Sequence, residues 1–212
     1  MPALWRLTRT ETAHRVYDAL KARGVTGTQM DEYVARTAGV ETRNPPSGVE
    51  VRALDPEDAR VYEQTHEAFA ELRDDERAVC AFDADTDPTG DASDGDTRAD
   101  AAPVGYLFLG DPGLTYRIHP LETDVTFPGG YIRRVFVAPS ARNRGIATTL
   151  VSRAVSLADK QDAGTVHALV ARDNRPSQWT FEANDFRVER TRSYYRVGPW
   201  SRRSSTEHGP PV

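Results

Sequence analysis

The residues best suited to chemistry lie in one stretch, 135–150. A β-favouring run ends at Pro139, and a polar turn with Arg142, Arg144 and Gly145 leads into an apolar helical pattern. A strand that enters a helix through such a turn leaves the first N–H groups of the helix without acceptors. These donors, the helix dipole and the two guanidinium groups predict a binding site for a phosphate-bearing ligand.

This turn resembles the pyrophosphate-binding signature of the GNAT superfamily of acyl-CoA-dependent N-acetyltransferases. The signature is Arg or Gln, two residues, Gly, one residue, and then Gly or Ala, and residues 142–147 fit every position. The preceding Val137-Ala138-Pro139 is similar to the usual end of the family's fourth strand. The resemblance implies acetyl-CoA as the co-substrate.

A second stretch is similar to the same family at the expected distance. Family members carry an Asn after the next strand, a small residue three positions on, then an aromatic residue and a Glu-x-x-Gly-Phe ending. Here these positions hold Asn174, Ser177, Phe181 and residues 182–186. The chain departs from the pattern twice, because Phe181 replaces the usual Tyr and Asp185 replaces the usual Gly.

The resemblance covers residues 48–198 and includes a predicted helical region from Asp55 towards Leu72, which borders the acceptor pocket in the family. It implies an α/β (α+β) fold of the GNAT type, in which helices flank a mixed, mostly antiparallel central sheet. It also implies a set of residues that bind the CoA moiety at the strand end, in the turn and after the next strand. They are Phe136, Val137, Arg142, Asn143, Arg144, Gly145, Ile146, Ala147, Thr148, Asn174 and Phe181.

Acyl transfer to an amine requires a proton acceptor, because an alkyl ammonium group has a pKa of about 10.4. Many family members place a Glu early in the fourth strand for this purpose, but this chain has Arg133 there. A guanidinium group cannot accept a proton, and Phe181 has no hydroxyl with which to protonate the leaving thiolate. The catalytic residues are therefore not assigned by the resemblance.

Replacement proton carriers are available before the fourth strand and in a later strand. The candidates are Glu122, Asp124, His119, and Tyr194 or Tyr195. For each of them a solvated or structural role is an open alternative, and proton transfer through water is an equally good account.

Two functions follow. The first is an N-acetyltransferase that moves an acetyl group from acetyl-CoA to a primary amine of a small molecule or protein, by direct attack in a ternary complex. The alternative is a non-catalytic acyl-CoA-binding or interaction module with the same fold. The acceptor is not predicted by the sequence, and a homodimer is possible.

Composition excludes several other classes. The formal net charge is −5, so no strong field attracts nucleic acid, and no apolar run reaches the roughly 18–20 residues that span a bilayer. Cys80 is the only cysteine and is interpreted as a buried small apolar residue. Scattered histidines and one cysteine offer no metal site. We therefore expect a cytoplasmic protein.

The chain divides into three predicted parts. Residues 1–47 are interpreted as an N-terminal extension with two short helices, the second over residues 29–37, and a linker. Residues 48–198 form the acetyltransferase domain, with an acidic hairpin insert at 83–103 that is expected to be disordered. Residues 199–212 are expected to be a polar tail.

Overall fold

The structure, a computed structural model, describes residues 25–83 and 102–209. The first predicted helix of the extension and nearly all of the acidic insert lie outside these ranges. The described strands are β1 Val25–Arg36, β2 Val49–Leu54, β3 Glu76–Asp83, β4 Gly105–Gly110, β5 Thr115–Ile118, β6 Thr123–Thr126, β7 Gly130–Val137, β8 Thr165–Ala171, β9 Arg187–Val197 and β10 Trp200–Glu207. The described α-helices are α1 Pro56–Ala59, α2 Ile146–Lys160 and α3 Arg175–Glu182.

Eight strands form one sheet in the order β10-β9-β1-β8-β7-β4-β3-β2. Its neighbours pair antiparallel except β7 and β8, which are parallel. A parallel pair needs a crossover connection, and α2 provides it. The expected mixed, mostly antiparallel sheet with flanking helices is confirmed.

The prediction of a second N-terminal helix over residues 29–37 is wrong. Residues 25–36 form β1, which pairs with β8 on one side and with β9 on the other. Its residues 31–35 are all buried, so they show no alternation of apolar and polar positions. The spacing of Met30, Tyr33 and Val34 suggested a helical stripe, but central strands are buried on both faces.

A buried polar network joins β1 to both of its neighbours. Glu32 accepts hydrogen bonds from Arg192 of β9, at 2.8 Å for the closer nitrogen, and its other oxygen lies 3.1 Å from Nδ1 of His167 in β8. Burial raises the pKa of Glu32, but the hydrogen bonds and charges of His167 and Arg192 outweigh it and lower the pKa overall. The carboxylate therefore stays ionised and holds the three strands together.

The prediction of a polar tail at residues 199–212 also needs correction in part. Residues 200–207 form β10, which pairs with β9 along its whole length. All eight residues of this edge strand are exposed. The prediction of a tail followed from their polar composition, which is typical of an edge strand with both faces in solvent.

Two layers cover the sheet. On one face α2 packs against β4 and β7, and a Cβ atom on Gly105 would lie 3.2 Å from Cγ2 of Ile146, so the helix approaches the backbone closely there. On the other face α1 and two short 3₁₀ helices, 60–62 and 67–71, cover β3 and β4. A continuous helical region to Leu72 had been expected, but only these short pieces form.

The hairpin of β5 and β6 lies on the same face as α1, further along the sheet. Its apolar residues pack with Tyr131 of β7 and Tyr194 of β9. Cys80 is fully buried between the layers, and burial raises the pKa of its thiol to about 12. Within residues 25–83 and 102–209, no helix is long and apolar enough to cross a membrane.

Candidate functional site

The parallel strands β7 and β8 pair over only part of their length. The register runs from Gly130 opposite Val166 to Ile132 opposite Ala168 and then ends. Tyr131 and Ile132 are buried, whereas residues 135–137 further along β7 are half-buried. Beyond Ile132 and Ala168 the two strands therefore diverge, and they leave an opening at their carboxyl ends.

A β-bulge in β7 accompanies this divergence. The pairing with β4 changes between Tyr106 opposite Phe136 and Phe108 opposite Arg133, so two residues of β7 face one residue of β4. Arg134 lies in the bulge with φ 57°, a left-handed conformation that is uncommon outside glycine. Because bulges bend a strand and interrupt its pairing, this one bends β7 where it diverges from β8.

The turn predicted to bind phosphate begins at the end of β7. A 3₁₀ turn spans 139–141, and Asn143 and Gly145 have φ values of 63° and 82°. The N–H of Thr149 donates to the Gly145 carbonyl at 3.1 Å, so α2 begins its hydrogen bonding there. The N–H groups of residues 146–148 consequently have no acceptor within the helix.

Open space surrounds the glycine of this turn. A Cβ atom built on Gly145 would meet nothing within 4 Å in the described protein, and the residue is exposed. Ile146 is buried, at 1% exposure, and anchors the helix to the core, whereas Ala147 and Thr148 are half-buried and leave its N-terminus accessible. The arrangement can accept a phosphate group at the helix N-terminus.

The two arginines of the turn are exposed and held by local contacts. The Nε of Arg142 donates to the Val137 carbonyl at 3.1 Å, which leaves the terminal nitrogens of the guanidinium without a partner among the described residues. Arg144 pairs with Asp83 at the end of β3, at 3.2 Å. Both positive charges therefore lie beside the turn, and that of Arg144 is partly neutralised.

The residues of the second family signature lie in two places, one beside the opening and one in the core. Asn174 lies just beyond β8 and caps α3, where its side-chain oxygen accepts from the Ser177 N–H at 3.4 Å. Phe181 is only 3% exposed and packs against Phe186 and Tyr33 at ring distances of 5.1 and 6.2 Å. The structure thus brings Asn174 to the same end of the sheet as the turn, whereas Phe181 contributes to the core.

Arg133 occupies the position where the family often has its base, and it is locked in a buried ion pair. Its Nε and Nη2 donate to the two oxygens of Glu76 at 2.6 and 2.5 Å, and Nη2 also donates to the Glu71 carbonyl. The Glu76 side chain is fully buried. Arg133 cannot accept a proton, and Glu76 cannot take one from a substrate without breaking the pair.

The candidate proton carriers lie on or beside the β5–β6 hairpin. Glu122 and Asp124 form ion pairs with Arg117 at 3.8 and 3.6 Å, and His119 is exposed. Tyr194 is buried beneath the hairpin, where Arg203 stacks on its ring at 4.9 Å. In the described part of the chain, no hydrogen bond or ion pair joins these residues to 133–137.

The hydroxyl of Tyr195, the remaining candidate, accepts a hydrogen bond from Gln29 of β1 at 2.8 Å. All of these contacts are structural, and none of them positions a proton acceptor beside the opening. The candidates therefore stay predictions.

One histidine beside the opening had not been singled out. His66 contacts Phe136 of β7 and Tyr106 of β4, with ring centroids 5.5 and 5.2 Å apart. It is the only histidine in residues 56–72, the segment that the resemblance places beside the acceptor pocket. This position within the segment could have identified His66 as a candidate from the sequence.

No metal centre accompanies this site in the described residues, since no cluster of three or more His, Cys, Asp or Glu side chains could hold an ion. A large cavity of about 1410 Å³ lies at the opposite end of β8, near Thr165 and His167, and is distant from the turn. The opening between β7 and β8 is therefore the feature that matches the predicted site.

Comparisons with known structures support the fold. A GCN5-related N-acetyltransferase from Sphaerobacter thermophilus aligns with a TM-score of 0.53 at 15% identity, over 96% of this chain and 59% of that one. A GCN5-related N-acetyltransferase from Kribbella flavida aligns with a TM-score of 0.53 at 12% identity, over 90% and 74%. A Drosophila protein aligns with a TM-score of 0.54 at 16% identity, over 88% and 57%.

This chain therefore spans less than two thirds of the Sphaerobacter and Drosophila chains. No curated protein matches it significantly in sequence. The sequence model of the acetyltransferase (GNAT) family matches residues 51–186, which include β3, the turn and α3. Since this match covers more than half of the chain, the protein belongs to the acetyltransferase (GNAT) family.

Proposed function

We propose that the protein is an N-acetyltransferase that moves an acetyl group from acetyl-CoA to a primary amine by direct attack in a ternary complex. The observation that carries this proposal is the opening between β7 and β8 with a phosphate-accepting turn at its end. A strand pair that stays closed would offer no room for an extended ligand.

The residues present fit acetyl-CoA. The free N–H groups of residues 146–148, together with Arg142 and Arg144, suit the pyrophosphate, because backbone donors and guanidinium groups both favour phosphate oxygens. The half-buried edge of β7 at Phe136 and Val137 suits an uncharged pantetheine arm. A backbone N–H of Phe136 or Val137 would stabilise the oxyanion that forms as the thioester reacts.

The proposed reaction is a single displacement. The neutral amine nitrogen forms a bond to the acetyl carbon, the carbon–sulfur bond breaks, and its electron pair leaves with the thiolate of CoA. The amine loses one proton, and the thiolate, with an ordinary thiol pKa of about 8.5, takes up a proton afterwards. Holding both reactants in register supplies much of the acceleration.

The acceptor is expected to approach on the face of the sheet opposite α2. On that face the upper part of β7 lies between the 3₁₀ helix 67–71 and the β5–β6 hairpin. Half-buried Phe136 and Leu169 face this side. The acceptor itself, small molecule or protein amine, is not assigned.

A non-catalytic acyl-CoA-binding module is the alternative, and two observations favour it. Arg133 is committed to Glu76, and Phe181 carries no hydroxyl and is buried. Both positions through which many relatives move protons are thus inactive in this chain.

Turnover separates the two functions. We expect release of free CoA thiol when acetyl-CoA is supplied with a panel of primary amines that spans polyamines, amino sugars, aromatic amines and peptide N-termini. The measurement is thiol release above the rate without enzyme, alongside calorimetric binding of acetyl-CoA. Binding without release for every class of amine would support the non-catalytic alternative instead.

A further inference from the structure

His66 is held at the mouth of the opening by aromatic packing. Its ring contacts Phe69, Tyr106 and Phe136, with ring centroids 6.2, 5.2 and 5.5 Å apart. The residue is half-buried and directly precedes the 3₁₀ helix 67–71. The imidazole is therefore confined to one position beside the part of β7 that has left β8.

The hydrogen bonding of this ring fixes which nitrogen carries the proton. Nε2 of His66 lies 3.0 Å from the Pro103 carbonyl oxygen. A carbonyl oxygen only accepts, so Nε2 is the donor, and in the neutral ring Nδ1 carries the lone pair. Within residues 25–83 and 102–209 no hydrogen-bond partner meets Nδ1, which leaves it free to accept a proton.

The His66 ring lies on the face of the sheet from which the acceptor amine is proposed to approach. Phe136 belongs to the cluster on the face opposite α2, together with Tyr106 and Phe69. The attacking amine is proposed to enter on this face and to meet the thioester beside the backbone of Phe136. A base near Phe136 on this side would lie next to the nitrogen that loses its proton.

Other ionisable groups come from the elements packed around His66. Burial raises the pKa of Tyr106 in β4, and that of Cys80 in β3 to about 12, so both are neutral near pH 7. Glu71 and Arg134 form an ion pair with each other, and Glu67 is exposed to solvent. Within the described residues, none of these groups hydrogen-bonds to the His66 ring, whose hydrogen-bond partner is the Pro103 carbonyl.

We propose that His66 is the proton acceptor of this acetyltransferase, with Nδ1 taking the proton from the attacking amine. The inference rests on the proposed function. As the nitrogen–carbon bond forms, the amine proton passes to Nδ1 and an imidazolium results. The electron pair of the broken carbon–sulfur bond leaves on the thiolate, and the imidazolium or water then returns a proton to it.

The test is the substitution His66→Gln in the full chain, assayed with acetyl-CoA and the amine that gives the highest turnover. Glutamine retains an N–H for the Pro103 carbonyl but cannot titrate. We expect kcat to fall by about 100-fold or more, the range for loss of a general base. The calorimetric affinity for acetyl-CoA should not change.

The pH profile and chemical rescue distinguish a base from a packing residue. For the wild type, the pH profile of kcat/KM should include an acid-side inflection, and His66→Gln should lose it. Added imidazole should restore part of the activity of His66→Gly. His208→Gln, an exposed histidine that contacts Thr191 far from the opening, is the matched control and should retain the wild-type rate.

Two results would overturn the inference while the proposed function stands. One is a His66→Gln rate within tenfold of wild type with the inflection retained. The other is a hundredfold loss on His119→Gln with none on His66→Gln. Absence of both acetyl-CoA binding and turnover in the wild type would instead refute the proposed function, and this inference with it.

Discussion

Proline in place of Val34 is expected to abolish cooperative folding or to lower the free energy of unfolding by about 3 kcal/mol or more. Val34 lies near the end of β1 but is paired on both sides, opposite His167 of β8 and Arg187 of β9. Proline removes a backbone donor and does not fit a central strand. Since domains of this kind are stable by only about 5–15 kcal/mol, the loss is a large fraction of the total.

The matched control is Arg202→Pro in β10. This strand pairs with β9 alone and is exposed along its length, so proline should cost much less there. Urea unfolding followed by circular dichroism measures both variants. Equal stability of Val34→Pro and wild type would contradict a central role of residues 25–36 in the sheet.

Removal of the Glu76 carboxylate is expected to lower the free energy of unfolding by about 3–5 kcal/mol. The Glu76→Ala change leaves the Arg133 guanidinium, whose side chain is 16% exposed, without the two oxygens that it binds. Such a loss arises chiefly because an unpaired charge remains in a low-dielectric site. Arg133 also stacks over Phe108 at 5.0 Å, so it cannot move freely into solvent.

Two further variants isolate the origin of this effect. Glu71→Ala breaks the neighbouring ion pair with Arg134, which is exposed, and should cost at most about 1 kcal/mol. The double change Glu76→Leu with Arg133→Met removes both charges and should recover most of the stability lost in Glu76→Ala. Denaturant unfolding of the wild type and of these three variants provides the comparison. A double variant as unstable as Glu76→Ala would contradict the explanation by unpaired charge.

The local motifs of the site could be predicted from the sequence because they depend on neighbouring residues. The turn is encoded by Pro139, Gly145 and the apolar helix that follows, and Asn174 caps the helix that begins right after it. Each of these features needs only a few adjacent residues. The residues of the family signature are therefore the same residues that form the turn in the structure.

Long-range partners could not be predicted in the same way. Glu76 lies 57 residues before Arg133, and the sequence showed that the usual base was missing without showing what the arginine binds. Likewise, β1 is encoded by pairing with strands about 140 and 160 residues later, which the local pattern of Met30, Tyr33 and Val34 does not contain. His66 became a candidate only when its contact with Phe136 was visible.

The central claim is that the turn between β7 and α2 binds the pyrophosphate of acetyl-CoA. Gly145→Val tests it most directly, because valine at φ 82° is strained and its side chain would fill the open space above the helix N-terminus. Gly113→Val is the matched control, since Gly113 also has φ 82° and open space but lies in the turn after β4. Backbone strain is thus similar in the two variants.

Isothermal titration of acetyl-CoA into the wild type and the two variants is the decisive measurement. We predict that wild type and Gly113→Val bind acetyl-CoA with similar affinity, and that Gly145→Val loses detectable binding while it still unfolds cooperatively. Ligand at about 100 times its Kd should stabilise the two binding proteins by about 2.7 kcal/mol and leave Gly145→Val unchanged. Wild-type affinity in a folded Gly145→Val protein would contradict the assignment of the turn.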